Sequence, residues 1–266
     1  VIYPPENHFL RDLRPWTERD AQGARSYLEV VPELCGPNGA LRSGVLATLA
    51  DMAGGEAAVR AAHPSWVATS DLVLHGIRPV SAGVVCARAS VLRKTRATIV
   101  LEVELSQAED LAGLATMTFA VLEAKSEVQR MGTGGDEPRT DFGRPGARLR
   151  AAVSEALGLR ILDRPGGVVE QDLTPYVVNS LGALQGGVVA VALEVAAESV
   201  GRTLLGGRAS VLDLSINYLS LVRTGPARTR ARALRRRENE ALVRVELRDA
   251  GGADRLCTVA TAVVVR

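Results

Sequence analysis

From Gly44 to Ala62, and again from Gly187 to Val200, Val, Leu and Ala recur on nearly every face of a 3.6-residue repeat, with few residues that break helices. This pattern predicts two helices enclosed by the rest of the fold. After each helix the period changes. Asp71 to Leu74, Val84 to Leu92, Thr98 to Leu105 and Ala115 to Leu122 run apolar or alternate, and the turn-rich PVSAG, RKTR and AEDLAG separate them. Alternation is clearest in Leu101, Glu102, Val103, Glu104 and Leu105, and it returns in Val243, Arg244, Val245, Glu246 and Leu247. These are meander strands with one wet face. A shorter strand, Ser26 to Val31 or Val168 to Leu173, precedes each helix and reaches it through a loop, CGPNGA or VVNSLGA. One long helix followed by about four antiparallel strands is the layout of an α+β domain whose sheet wraps the helix.

The two halves of this pattern are copies. Leu41 to Asp51 reads LRSGVLATLAD and Leu184 to Glu194 reads LQGGVVAVALE. The strands that follow align without a gap: Asp71 with Asp213, Gly83 with Gly225, Leu92 with Leu234, Leu105 with Leu247 and Val121 with Val263, each pair 142 positions apart. A duplicated and fused module explains this. Between the copies, Lys125 to Ala147 collects Gly, Pro and charge without periodicity, which predicts a linker between a first domain at 1–124 and a second at 148–266.

Composition narrows the class. At 266 residues, 47% hydrophobic and 23% charged, the chain has the make-up of an ordinary globular protein, and no apolar run approaches the ~20 residues of a membrane helix. The first residues lack the basic start and apolar run of a secretory signal, so a cytoplasmic location is expected. Cys35, Cys86 and Cys257 are far apart, as are His8, His63 and His75, so neither a disulfide framework nor a metal site is predicted. A net charge of +2 argues against a nucleic-acid binder.

Each helix carries one carboxylate that its apolar pattern does not explain. Asp51 stands eight residues after Ser43, and Glu194 stands eight after Gly186. An unpaired carboxylate among apolar residues is costly, so each is paired, hydrated at an interface, or kept for reactivity. Seeing the same feature twice beside matching glycines favours reactivity. Two further features stay open at this level. Asn179 and Gln185 can equally be turn or capping residues. The arginines at 228, 230, 232 and 235–237 form either a solvated face or a platform for phosphates.

The segments Gly39 to Gly54, Ala115 to Val121 (ATMTFAV) and Asn179 to Glu194 carry a pattern that resembles the hotdog-fold thioesterases of the phenylacetate-pathway and 4-hydroxybenzoyl-CoA type. Along its length the chain resembles a tandem double hotdog, each unit a long central helix wrapped by an antiparallel sheet. The resemblance implies a thioesterase acting on an acyl-CoA or acyl carrier protein thioester, with coenzyme A present only as part of the substrate and no other cofactor. It also implies active sites shared between two units, and pairing of two such chains as a homodimer of double hotdogs. No nucleic acid or membrane partner is expected.

The resemblance assigns roles residue by residue. In one site Asp51 is the acting carboxylate, Gly186 offers its N–H to the thioester carbonyl, Asn179 backs that glycine, Gln185 takes the place of the family's histidine and Thr69 supplies a hydroxyl. In the other, Glu194 faces Ser43 and Gly44, with Gly36 in place of the Asn, Asn38 nearby, Arg42 in place of the histidine, and Leu212 at the hydroxyl position. The second set is incomplete, which predicts one working site at the Asp51 end. Arg235, Arg236 and Arg237 are the candidates for the phosphates of coenzyme A. Two other readings remain: a non-catalytic protein that binds acyl thioesters, and a hotdog hydratase or dehydratase, which lacks a helix histidine here.

Overall fold

The computed structural model of the protein describes residues 3–20, 23–124, 137–143 and 146–266. Two buried helices, α2 (Ser43–Ala62) and α4 (Gly186–Leu205), are each followed by four strands: β3 (Trp66–Gly76), β4 (Gly83–Lys94), β5 (Thr98–Gln107) and β6 (Asp110–Leu122), then β10 (Ser210–Tyr218), β11 (Ala227–Arg236), β12 (Glu240–Asp249) and β13 (Arg255–Val265). Before the first helix come α1 (Phe9–Leu13), β1 (Trp16–Asp20) and β2 (Gly23–Val30). Before the second come β7 (Arg139–Asp141), α3 (Val153–Ala156), β8 (Arg160–Asp163) and β9 (Val168–Gln171). All strands join one antiparallel sheet in the order β7-β1-β2-β4-β5-β6-β3-β10-β13-β12-β11-β9-β8.

The duplication is visible in the irregularities as well as in the elements. Strand bulges fall between Thr69 and Asp71 and between Val211 and Asp213, then between Val91 and Arg93 and between Ala233 and Arg235. Each pair is 142 residues apart, whereas the helices are offset by 143. One residue of difference therefore lies between helix and bulge. As a result Thr69 corresponds to Val211, not to the Leu212 that counting from Glu194 selects.

The halves meet where β3 pairs with β10. Asp71 lies opposite Asn217, Val73 opposite Ser215 and His75 opposite Asp213, so a pseudo-twofold axis passes between Val73 and Ser215. Across it, Asn217 Nδ2 donates to Asp71 at 2.5 Å, and His75 lies 3.5 Å from Asp213. Behind this seam the helices cross. A Cβ on Gly44 would come within 2.7 Å of Val191 Cα, and a Cβ on Gly187 would overlap the Thr48 side chain. Gly44 meets the backbone of the other helix and Gly187 the Thr48 side chain, so neither position has room for a Cβ. The crossing puts the N-terminus of each helix against the middle of the other.

Of the expected linker, residues 125–136 and 144–145 lie outside the described residues. Arg139 to Asp141 within it pair with β1, and Arg139 stacks over Trp16 at 5.1 Å. The N-terminal segment reaches across to the second half. Phe9 N donates to Tyr176 O, and Tyr176 Oη donates to Asp12.

Candidate active site

Helix α4 begins at Gly186 because Gln185, extended at φ −69° and ψ 140°, caps it with its side-chain oxygen. That oxygen accepts from Gly187 N at 2.5 Å and Val188 N at 3.1 Å, two of the first-turn N–H groups that have no partner within a helix. The N–H of Gly186 stays unassigned, with no acceptor among the described residues. A Cβ on Gly186 would lie 3.5 Å from Asp51 Oδ2. Asp51 comes from the third turn of α2, so a carboxylate of the first half faces the helix N-terminus of the second. Thr69 Oγ1 donates to the other oxygen, Asp51 Oδ1, at 2.7 Å. Desolvation lifts the Asp51 pKa above the ordinary aspartate value, and the Thr69 hydrogen bond offsets part of that rise.

The structure thus brings Asp51, Gly186, Thr69 and Gln185 together, with Asn179 behind them. Asn179 Oδ1 accepts from Leu181 N at 2.9 Å and Ala183 N at 3.1 Å, so its side chain shapes the loop entering α4. Three residues that the sequence does not single out for the site complete the surroundings. Tyr218 Oη donates to Gly186 O at 3.2 Å. Burial and the nearby Asp51 charge push the Tyr218 phenol well above its usual pKa, and they raise Tyr3 in the same way. His8 is buried, accepts from Leu10 N on Nδ1 and donates from Nε2 to Val178 O at 3.0 Å, pinning the N-terminal segment beside the site. Burial holds His8 down at about 4, so it is neutral at pH 7. Comparing the copies position by position offers one signal for these residues: Tyr218 replaces Gly76 of the first half.

At the opposite end the same geometry is closed. Glu194 accepts from Ser43 N and Gly44 N, both at 3.0 Å, and so occupies the N-terminus of α2 with its own carboxylate. Ser43 Oγ donates to Val211 O at 2.7 Å. Arg42 lies 3.7 Å from Glu194 and 3.0 Å from Glu198, and all three are buried. Burial raises Glu198 to about 7, with the charge of Glu194 adding to the effect and Arg42 opposing it. Burial also raises Glu194, against the pull of Arg42 and the two N–H groups. Glu198 Oε1 has no partner among the described residues and points toward Gly36, where a Cβ would lie 3.6 Å away. Asn38 accepts from Ala40 N at 3.0 Å, the bond that Asn179 makes to Ala183 in the other half.

The arginines at 235–237 are not brought to Asp51. Strand register puts Arg236 in one row with Ala241, Val264 and Val211, at the Glu194 end. The row of Thr69 runs instead through Phe119 and Ile99 to Lys94. His75 is exposed and pairs with Asp213 on the strands. No cluster of metal-ligating side chains is present among the described residues, and no helix among them is long and apolar enough to cross a membrane.

An antiparallel sheet curled over two crossed helices, with a carboxylate set against a helix N-terminus, is a fold that known proteins share. A candidate thioesterase II of Thermobifida fusca matches at 17% identity over 94% of both chains, with a TM-score of 0.61. A candidate oleoyl thioesterase of Lactobacillus plantarum matches at 10% identity over 91% of this chain and 95% of that one, with a TM-score of 0.62. A protein of Alicyclobacillus acidocaldarius described as having the hot dog fold matches at 14% identity over 97% of both, with a TM-score of 0.60. The family model for the thioesterase superfamily matches residues 38–113, and that for the acyl-CoA thioesterase N-terminal domain matches residues 178–265, one on each repeat. The chain belongs to the thioesterase superfamily and has its hotdog fold. No curated protein sequence matches it.

Proposed function

We propose that the protein is a tandem double hotdog, with units at 1–124 and 148–266, that hydrolyses an acyl-CoA or acyl carrier protein thioester at one composite site between its repeats. The observation that carries this reading is the approach of Asp51 Oδ2 to the N-terminus of α4 at Gly186. A helix N-terminus holds about half a positive charge and N–H groups directed outward, which suits the oxyanion formed when a thioester carbonyl is attacked. The thioester oxygen accepts from Gly186 N–H, and its carbon is turned toward Asp51. Asp51 then either draws a proton from water, whose oxygen adds to the carbon, or adds to the carbon itself to form a mixed anhydride that water cleaves. In both routes the C–S bond breaks, and the thiolate recovers a proton as the acid is released. Thr69 holds one carboxylate oxygen so that the other faces the substrate.

Gln185 and Asn179 act through the backbone in this reading, by capping α4 and shaping the loop before it. Glu194, with Ser43 and Gly44, forms a second end that is closed to substrate. The decisive experiment measures thiol release from a panel of acyl-CoA and acyl carrier protein thioesters by the wild type and Asp51→Asn. Turnover that Asp51→Asn abolishes supports the proposal, and the preferred donor separates coenzyme A from carrier protein. Equal background release across the panel leaves a non-catalytic acyl-thioester binder. Light scattering tests the homodimer.

A further inference from the structure

We infer that Tyr218 is a positioning residue for this reaction, holding Gly186 by its carbonyl so that the residue whose N–H meets the oxyanion keeps its place; the inference rests on the thioesterase reading. Tyr218 ends β10, and its hydroxyl donates to Gly186 O at 3.2 Å. A Cβ on Gly186 would lie 3.7 Å from that hydroxyl and 3.5 Å from Asp51 Oδ2, so phenol and carboxylate wall the same small space. Gly186 precedes the two residues whose N–H groups the Gln185 side chain takes, and without a side chain it has the widest freedom in φ and ψ. A donor on its carbonyl, which belongs to the Gly186–Gly187 peptide, fixes one side of the Gly186 Cα and so narrows the range through which the N–H on the other side can swing. Preorganised dipoles contribute to catalysis because they need no reorientation as charge develops.

The pseudo-symmetry supplies an internal control. The counterpart of Tyr218 is Gly76, which sits against Leu212 O and presents no hydroxyl to Ser43. At that end the helix N-terminus is held by Glu194 instead. The phenol is thus present only where the N-terminus is left open. Tyr218 also stays protonated through the working range, since burial and the Asp51 charge both disfavour the phenolate.

Tyr218→Phe keeps the ring and removes the donor. With rates expressed per folded molecule, kcat is expected to fall about tenfold, the loss of one aimed hydrogen bond. KM stays within about twofold, and the pH midpoint of the Asp51 limb is unchanged. Placed on an Asp51→Asn background, the change lowers the residual rate by the same factor, because the oxyanion donor acts apart from the base. An unchanged kcat, a loss confined to KM, a shifted midpoint, or no further loss on the Asp51→Asn background would each overturn the assignment. A wild type without thioesterase activity would instead overturn the reading beneath it.

Discussion

The two ends of the helix crossing are built from the same parts, yet one is open and the other sealed. At each, a carboxylate from the third turn of one helix faces the N-terminus of the other. Glu194 is one methylene longer than Asp51 and reaches two N–H groups, Ser43 and Gly44. Asp51 reaches none and holds a threonine hydroxyl instead. The sealed end has Ser43 tied to Val211 O where the open end has the bare Gly186, and Arg42 where the open end has Gln185. In the proposed reading, a methylene, a hydroxymethyl and a charge distinguish the structural end from the reactive one.

The largest expected effect comes from removing each carboxylate in turn. Asp51→Asn is nearly isosteric and should lower turnover by about 10² or more, as loss of a group that acts on the transition state does. Glu194→Gln should leave turnover within a few fold but destabilise the fold by on the order of 3 kcal/mol, since it breaks a buried ion pair and a helix cap. Thiol-release rates and chemical denaturation of both variants check this. The reverse pattern, turnover lost in Glu194→Gln and kept in Asp51→Asn, would exchange the roles of the two ends.

A subtler pair of changes imposes one end on the other. Asp51→Glu supplies the missing methylene, and the longer carboxylate should swing onto the N-terminus of α4 as Glu194 does onto that of α2. Activity should then fall by at least about tenfold while the melting temperature rises, because a charge-assisted cap replaces a desolvated carboxylate. Gly186→Ser adds a Cβ at ordinary contact distance from Asp51, so the fold should hold while the cleft in front of the N–H closes. A variant of either kind that keeps full activity would show that the gap between Asp51 and Gly186 is not where the thioester sits.

Much of this comparison was legible in the sequence. The repeat, both helices and the strands after them follow from periodicity, because a buried helix and a half-buried strand each impose a period on one short stretch. The carboxylates stood out because they interrupt an apolar helix. Other parts lay beyond local pattern. β1, WTERD, is mostly polar and forms because β2 and β7 pair with it on either side. Val211 replaced Leu212 as the partner of Thr69 because the one-residue offset becomes visible only at the bulges. Arg235 to Arg237 read as either a solvated face or a phosphate platform, and only strand register places them at the sealed end. Tyr3 and His8 reach the site from the far end of the chain, a contact that spacing does not encode. Glu198 carries no local signal either, since its partner Arg42 comes from the other half of the chain.

The smallest effect concerns how stability depends on pH at the sealed end. Glu198 holds its proton to about 7 in the folded protein, against 4.5 as its ordinary value. Between those values the unfolded chain is the less protonated, so this group's contribution to stability is full below pH 4.5, falls as pH rises toward 7, and is level above it. His8 works in the opposite sense. Its folded pKa of about 4 lies below the ordinary 6.5, so its contribution is full above pH 6.5 and is lost as pH falls toward 4. The two slopes oppose each other across most of one window. Glu198→Gln should therefore raise the melting temperature at pH 7 to 8 by a few degrees, about what 1 kcal/mol gives a protein of this size. It should also leave a profile that climbs from pH 4.5 to 6.5, where the wild type stays flatter. His8→Gln should tilt the profile the other way. Melting curves across that range decide the matter. A Glu198→Gln profile parallel to the wild type would mean that Glu198 ionises in the folded protein as readily as in the unfolded chain, and that Arg42 neutralises both carboxylates at the sealed end.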